Sequence, residues 1–150
     1  MSATYVIVLV VVAISALALS ALARRSALVD SYRTKKPLSD AEQTLYWRLR
    51  EAMPDCVVLP QVPLSRFLEP GVKGAVRRGL HNRIAQKSVD FLVCLPDFTI
   101  IAAIELDDAS HRPGKDARKN SIFASAGLTL IRLHVRKIPA VAELRALFTK

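Results

Sequence analysis

The residues best suited to chemistry are three carboxylates near the middle of the chain. Two largely apolar segments, 88–95 and 99–107, read as strands separated by a turn near Pro96-Asp97, and they predict an antiparallel hairpin. In the register centred on that turn, Asp90 lies directly across from Glu105, on the same face as Asp107. Carboxylates this close repel one another, so the pattern predicts a hard divalent cation, Mg²⁺ or Mn²⁺, bound by all three. A register shifted by one residue would move Asp90 to the opposite face.

Candidate acid–base and cationic side chains surround the same hairpin. His111 follows Asp107 by four residues and is predicted to act as a general acid or base, or to bind a phosphate. Lys119 and Lys87 are the cations predicted to reach the carboxylates. The alternative for Lys119 is a solvated ion pair with Asp116, three residues earlier on the same helix face. The alternative for the carboxylates is likewise pairing with nearby Lys and Arg side chains.

The charge of the chain indicates a polyanionic partner. Its net charge is +9, from 22 Lys and Arg against 13 Asp and Glu, and all of these residues follow residue 23. Such a bias favours nucleic acid or an anionic membrane surface as partner. The residues predicted to contact nucleic-acid phosphates are Arg66, Lys73, Arg77, Arg78, Arg83 and Lys87. Two cysteines are too few for a disulfide-stapled scaffold, which excludes the small secreted disulfide-rich class.

The elements that must position these residues can be predicted from hydrophobic periodicity and from the residues that begin and end helices and strands. Ser39 and Glu42 form a capping box that opens a helix ending before Pro54. Further elements are predicted as a strand at 57–62, an irregular segment at 63–81, a helix at 115–126, a strand at 128–134 and a helix at 140–148. With the hairpin, this order predicts an α/β or α+β domain built around a small mixed sheet.

The N-terminal segment is predicted to span a membrane. Residues 4–23 contain no charge and no proline, and about 30 Å of helix matches a bilayer core. A cleaved secretory signal ending at Ala23 is the alternative, but no basic residue precedes the apolar run. The basic residues from Arg24 onward predict a cytoplasmic C-terminal side, hence a single-pass protein of the bacterial inner membrane. The predicted organisation is an anchor at 1–23, a basic juxtamembrane linker at 24–37 and a domain at 38–150.

A family resemblance is carried by short motifs that occur in a set order. These motifs are SVDF at 88–91, IELDDASH at 104–111, DARK at 116–119, AGL at 126–128 and IRL at 131–133. In this order they resemble the bacterial domain of unknown function 2726. The pattern is also similar to the very-short-patch-repair-like endonuclease domains of the restriction-endonuclease-like, PD-(D/E)xK superfamily. The resemblance covers residues 38–133.

The resemblance implies a mixed sheet flanked by helices and Mg²⁺-dependent phosphodiester hydrolysis. By position, Asp90 matches the metal-binding Asp of the superfamily and Glu105 matches the acidic residue of its (D/E)xK element. Glu42 matches a first-helix Glu that some members bring to the site. Asp107 stands where the motif lysine would be. Repair-type relatives carry an acidic residue or glycine near that position and use a later histidine, which His111 matches.

The leading functional expectation is a membrane-anchored, metal-dependent nuclease-like domain. Its predicted catalytic residues are Asp90, Glu105, Asp107, His111 and Lys119. One alternative is a non-catalytic nucleic-acid-binding module on the nuclease fold, which the replaced lysine favours. The other is a membrane-surface adaptor whose positive charge contacts anionic lipid, which does not explain Asp90 and Glu105.

Overall fold

A computed structural model describes residues 2–29, 32–108 and 113–148, with the side chains of all of these except 24–29 and 113–116. The chain divides into two compact units, Met1–Pro37 and Leu38–Lys150. The first contains one long helix, and the second contains a sheet with helices packed on it.

The N-terminal helix α1 runs from Ala3 to Val29. Its segment Ala3–Ala23 has a mean hydropathy of 2.9 and is exposed along its length. The hydroxyls of Ser15 and Ser20 donate to backbone carbonyls one turn earlier, both at 2.8 Å, which satisfies them within the helix. By length and composition α1 can therefore cross a membrane, a property that it shares with secretory signal sequences.

Helix α2 spans Asp40–Ala52 and begins with the predicted capping box. The Glu42 N–H donates to Ser39 Oγ at 3.4 Å, and the Ser39 N–H donates to Glu42 Oε2 at 2.6 Å. Leu45 and Leu49 recur at helical spacing and are fully buried. The helix ends at Met53, because Pro54 disfavours helical backbone in the residue before it.

Loss of this cap gives a measurable stability effect. We expect Ser39→Ala to lower the free energy of unfolding by about 1 kcal/mol, because the Glu42 N–H loses its acceptor. Urea unfolding followed by the fluorescence of Trp47, which lies on α2, measures it. Ser125→Ala, at the last residue of α4 (Pro113–Ser125), is the control and should leave the midpoint nearly unchanged. Equal midpoints for both variants would contradict the capping role.

The sheet has four strands in the order β1-β2-β3-β4, with bounds Val57–Pro63, Ser88–Cys94, Ile100–Asp107 and Leu130–His134. Strands β1 and β2 pair antiparallel, as do β2 and β3, whereas β3 and β4 pair parallel. Helix α4 makes the crossover between the two parallel strands. This confirms the predicted mixed sheet.

Helices cover both faces of this sheet. On one face, Leu45 and Leu49 of α2 pack with Leu144 of α5 (Val141–Phe148) against Phe91 and Ile104. On the other face, a second buried cluster joins two residues of β2 to residues from three other segments: Leu64, Ile84, Val89, Leu92 and Phe123. The site-bearing strands β2 and β3 are thus enclosed between two apolar layers, which holds their backbones in place.

The prediction of an irregular segment at 63–81 is wrong in part. A 3₁₀ turn occupies Leu64–Arg66, and helix α3 runs from Ala75 to Ile84. Gly74 precedes this helix with φ 76°, and Gly79 lies inside it, so local propensity argues against a helix. Of the α3 residues, only Ile84 is fully buried, which leaves too little apolar periodicity to reveal the helix in the sequence.

Candidate active site

Residues 91–93 of β2 pair with β3 in the register that the sequence predicts, and an irregularity between Val93 and Cys94 shifts the pairing by one residue toward the turn. Phe91 lies opposite Ile104 in the last regular pair, and continuing the same register outward by one residue brings Asp90 level with Glu105. Continuing outward, Glu105 lies opposite Arg132 of β4. One row across the sheet therefore holds two carboxylates followed by a guanidinium.

Asp90 is fixed at the point where the regular pairing of β2 with β3 ends. Its Oδ2 accepts the backbone N–H of Leu106 at 2.7 Å, a position where a strand carbonyl would otherwise bind. Burial raises the pKa of Asp90, and the Leu106 hydrogen bond opposes that shift. The negative charge of Glu42 adds to the rise and the positive charge of Lys119 reduces it. Asp90 is therefore a half-buried carboxylate whose environment disfavours its charge.

Glu105 forms an ion pair with Lys119 of α4. Lys119 Nζ lies 2.5 Å from Glu105 Oε1, and each side chain is only 13% exposed. The same ammonium donates to the Ser88 carbonyl at 2.6 Å, so it bridges the first residue of β2 and the middle of β3. Burial raises the pKa of Glu105, while the hydrogen bond and charge of Lys119 lower it. The predicted approach of Lys119 to the carboxylates is present. The alternative pairing of Lys119 with Asp116 lies outside the described residues, because the Asp116 side chain is not among them.

Asp107 is paired with a residue that sequence reasoning did not single out as functional. Arg132 donates to Asp107 Oδ2 at 2.8 Å, and its Nη2 lies 3.3 Å from Asn120 Oδ1. Strand alternation was the available signal, because Arg132 lies between two apolar residues of β4 that point away from it. Asp107 thus belongs to an ion pair at the edge of the site.

Glu42 reaches toward Asp90 from α2. Its Oε2 makes the capping box, and its Oε1 accepts a hydrogen bond from Gln61 Nε2. Gln61 interrupts β1 with φ 51°, between the residues that pair with Phe91 and Val89 of β2. A left-handed backbone is unfavourable for glutamine, and such strained residues tend to cluster at functional sites. The sequence alone did not point to Gln61.

Of the other predicted site residues, one contacts a backbone carbonyl, one lies outside the described residues and five are exposed. Lys87 Nζ donates to the Arg83 carbonyl at the end of α3, so its described contact is not with a carboxylate. His111 lies outside the described residues, and its role stays a prediction. The basic residues Arg66, Lys73, Arg77, Arg78 and Arg83 are all exposed. Arg77 approaches Glu69 at 3.9 Å, an exposed pair worth little energetically.

The metal-ligand set keeps the status of a prediction. Across the described parts of the chain, no three His, Cys, Asp or Glu side chains are grouped closely enough to hold a metal ion. What the structure does bring together is a pair of half-buried acids, Asp90 and Glu105, with one lysine. Such a pair can bind a cation that completes its shell with other oxygen ligands.

Comparison with known proteins gives one match. The family model described as protein of unknown function DUF2726 matches residues 34–150. No curated protein and no solved structure matches the chain. The matched region contains the whole sheet and every residue of the candidate site.

Proposed function

We propose that this chain, which belongs to the DUF2726 family of proteins of unknown function, hydrolyses phosphodiester bonds of nucleic acid with Mg²⁺ or Mn²⁺. The observation that carries the proposal is the convergence of Asp90, Glu105 and Lys119 where β2 and β3 separate. A restriction-endonuclease-like core is part of the proposal. Its support is a mixed sheet that is covered by helices on both faces and preceded by α2.

The donor set fits a hard divalent cation. Asp90 and Glu105 offer carboxylate oxygens, and burial raises the pKa of both. The charge of Asp90 raises the pKa of Glu105 further, while the ion pair with Lys119 lowers it. Mg²⁺ at phosphate-handling sites is held by one or two carboxylates together with phosphate oxygens and water. A third protein ligand is therefore not required. Mg²⁺ bound there supplies Lewis-acid polarisation of a phosphoryl oxygen.

In this proposal, residues of the chain itself orient the Asp90 carboxylate and balance the negative charge of the site. The Leu106 N–H holds the Asp90 carboxylate in one orientation, so its position does not depend on a ligand. Lys119 supplies, from α4, the positive charge that the superfamily places where Asp107 stands. An ammonium at this point can stabilise negative charge that develops on a phosphate. Arg132 pairs with Asp107 at 2.8 Å and so offsets its negative charge next to the two acids.

Exposed arginines provide the surface for the substrate. Arg77, Arg78 and Arg83 are carried on α3, which packs on the same sheet face as α4 through Ile84 and Phe123. Basic side chains of this kind contact phosphates without reading sequence, and their binding weakens steeply with salt. The proposed substrate is therefore nucleic acid recognised mainly by its backbone.

The test uses the purified full chain in neutral detergent. We incubate it with labelled single- and double-stranded DNA and RNA in Mg²⁺, Mn²⁺ or EDTA. The expected result is cleavage of at least one of these polymers with Mg²⁺ or Mn²⁺ and none with EDTA. Binding without cleavage under every metal condition would refute hydrolysis.

A second candidate function is nucleic-acid binding without cleavage. The observation that favours it is the engagement of Glu105 by Lys119 and of Asp107 by Arg132, which uses two of the three acids in ion pairs. This candidate predicts a dissociation constant that rises with salt, with Mg²⁺ acting only as a competing cation and causing no cleavage. Metal-dependent cleavage in the assay above would exclude it.

We propose further that α1 anchors the chain in the bacterial inner membrane with the domain in the cytoplasm. The full chain should resist alkaline extraction from membranes, while a variant lacking residues 2–23 should be released, because it loses the apolar segment. A C-terminal tag should be protected from protease added to spheroplasts. An intact mass that begins at Arg24 would instead show a cleaved signal, and digestion of the tag would show the opposite orientation.

A further inference from the structure

We propose that a cleft between α3 and α4 binds a phosphate group of the nucleic-acid strand, next to the carboxylate site. The cleft has a volume of about 270 Å³ and is lined by Arg83, Lys87, Arg118, Ser121 and Ile122. The inference rests on the proposed function for the identity of the strand. It adds a binding site and assigns a phosphate-binding role to Arg118, for which the sequence alone gave no role.

The lining of the cleft is strongly cationic. Its described residues contribute three positive charges, one hydroxyl and one apolar side chain, and no carboxylate. Arg118 and Ser121 lie three residues apart and so project from the same face of α4. Arginine offers a planar fork of N–H donors and lysine a compact charge, a combination suited to phosphate oxygens. The Ser121 hydroxyl donates to the Arg118 carbonyl at 2.9 Å and lines the cleft beside these cations.

The cleft is partly organised before any ligand binds. Lys87 Nζ donates to the Arg83 carbonyl at the C-terminal end of α3, where the helix dipole also favours a cation. This contact holds the Lys87 ammonium at the cleft instead of leaving it in free solvent. A charge that is already positioned loses less conformational entropy when a phosphate arrives.

The cleft and the carboxylate site share two elements. Lys87 immediately precedes Ser88, whose carbonyl accepts the Lys119 ammonium at 2.6 Å. Arg118 immediately precedes Lys119 on α4. A nucleic-acid strand that places one phosphate at Asp90 and Glu105 therefore has the cleft beside it for another. The phosphate in the cleft is either an internal diester or a terminal monoester, which carries close to two negative charges at neutral pH.

The test is a titration of the full chain in zwitterionic detergent micelles followed by amide NMR. Inorganic phosphate is added first, then oligonucleotides with a 5′-phosphate, a 3′-phosphate or hydroxyl ends. We expect shifts at Ser121 and Ile122, and about threefold to tenfold weaker binding for Arg118→Gln and Arg83→Gln. Arg118→Lys should lose less, because it keeps the charge. A larger shift with one terminal phosphate identifies a monoester, and equal shifts identify a diester.

Arg50→Gln is the matched control, because it removes the same charge from an exposed position on α2, which packs on the opposite sheet face. It should leave binding unchanged. The proposed cleft site would be wrong if Arg50→Gln weakened binding equally, or if phosphate shifted amide signals elsewhere and not those of the residues that line the cleft. This conclusion would hold even if the polymer were bound and cleaved at another place on the domain. Shifts with inorganic phosphate but with no oligonucleotide would reject nucleic acid as the source, and the proposed function with it. The amide dispersion of each variant verifies that it is folded.

Discussion

Glu105→Gln is expected to reduce Mg²⁺-dependent cleavage by about 100-fold or more, because it removes one of two carboxylates that face the proposed cation. Asp90→Asn should have an effect of similar size, since its carboxylate is fixed toward the same point by the Leu106 N–H. Both substitutions keep the shape of the side chain. Initial rates of cleavage of a labelled polymer, measured over a range of Mg²⁺ concentrations, provide the comparison.

The control for these rates is Glu51→Gln, at an exposed position of α2. It makes the same chemical change outside the site and should leave cleavage unaffected. Wild-type rates in both Asp90→Asn and Glu105→Gln would remove these residues from the reaction. Equal losses in all three variants would point to a general effect of charge instead of a site.

The free energy of unfolding should depend on pH, because Asp90 and Glu105 are partly buried acids. Burial raises the pKa values of Asp90 and Glu105 above their ordinary values of 3.8 and 4.5. At pH values between the ordinary and the raised pKa values, these two carboxyl groups are therefore more protonated in the folded state than in the unfolded state. The free energy of unfolding should fall across that interval and stay lower at neutral pH. Asp90→Asn should flatten this dependence in urea unfolding at a series of pH values, and an unchanged slope would contradict the burial argument.

Lys119→Met is expected to lower the free energy of unfolding by about 2–3 kcal/mol at pH 7. It leaves Glu105 charged and mostly buried without its partner, and it removes the donor to the Ser88 carbonyl. The loss should shrink as pH falls, because protonation of Glu105 removes the unpaired charge. Urea unfolding at pH 5 and pH 8 measures the difference.

The double variant Lys119→Met with Glu105→Gln should recover part of that loss, because no charge is then left buried. Lys137→Met, at an exposed position after β4, serves as the matched control and should change stability little. A loss in Lys119→Met no greater than in Lys137→Met would show that the ion pair does not contribute. Absence of recovery in the double variant would assign the loss to packing of the lysine stem.

Local sequence patterns predicted the frame of the candidate site. The two apolar strands around the Pro-Asp turn are sufficient to predict the register of residues 91–93 with β3, which continues outward to bring Asp90 level with Glu105. The capping box at Ser39 is complete within four residues, so it too is readable without tertiary information. Helix α3 was not predictable in this way, because Gly74 and Gly79 oppose it and its single buried side chain is held by residues distant in sequence.

The sequence by itself determined an apolar N-terminal helix, a basic domain of the DUF2726 family and two acids facing each other on a hairpin. These features follow from short-range periodicity and turn chemistry, which act within a few residues. Only the tertiary structure decided which cation meets which acid: Lys119 meets Glu105 from α4, and Arg132 meets Asp107 from β4. It also decided that Arg83, Lys87 and Arg118 share one cleft. These pairings depend on how helices and strands pack, because charges far apart in sequence become neighbours only after the crossover through α4 forms.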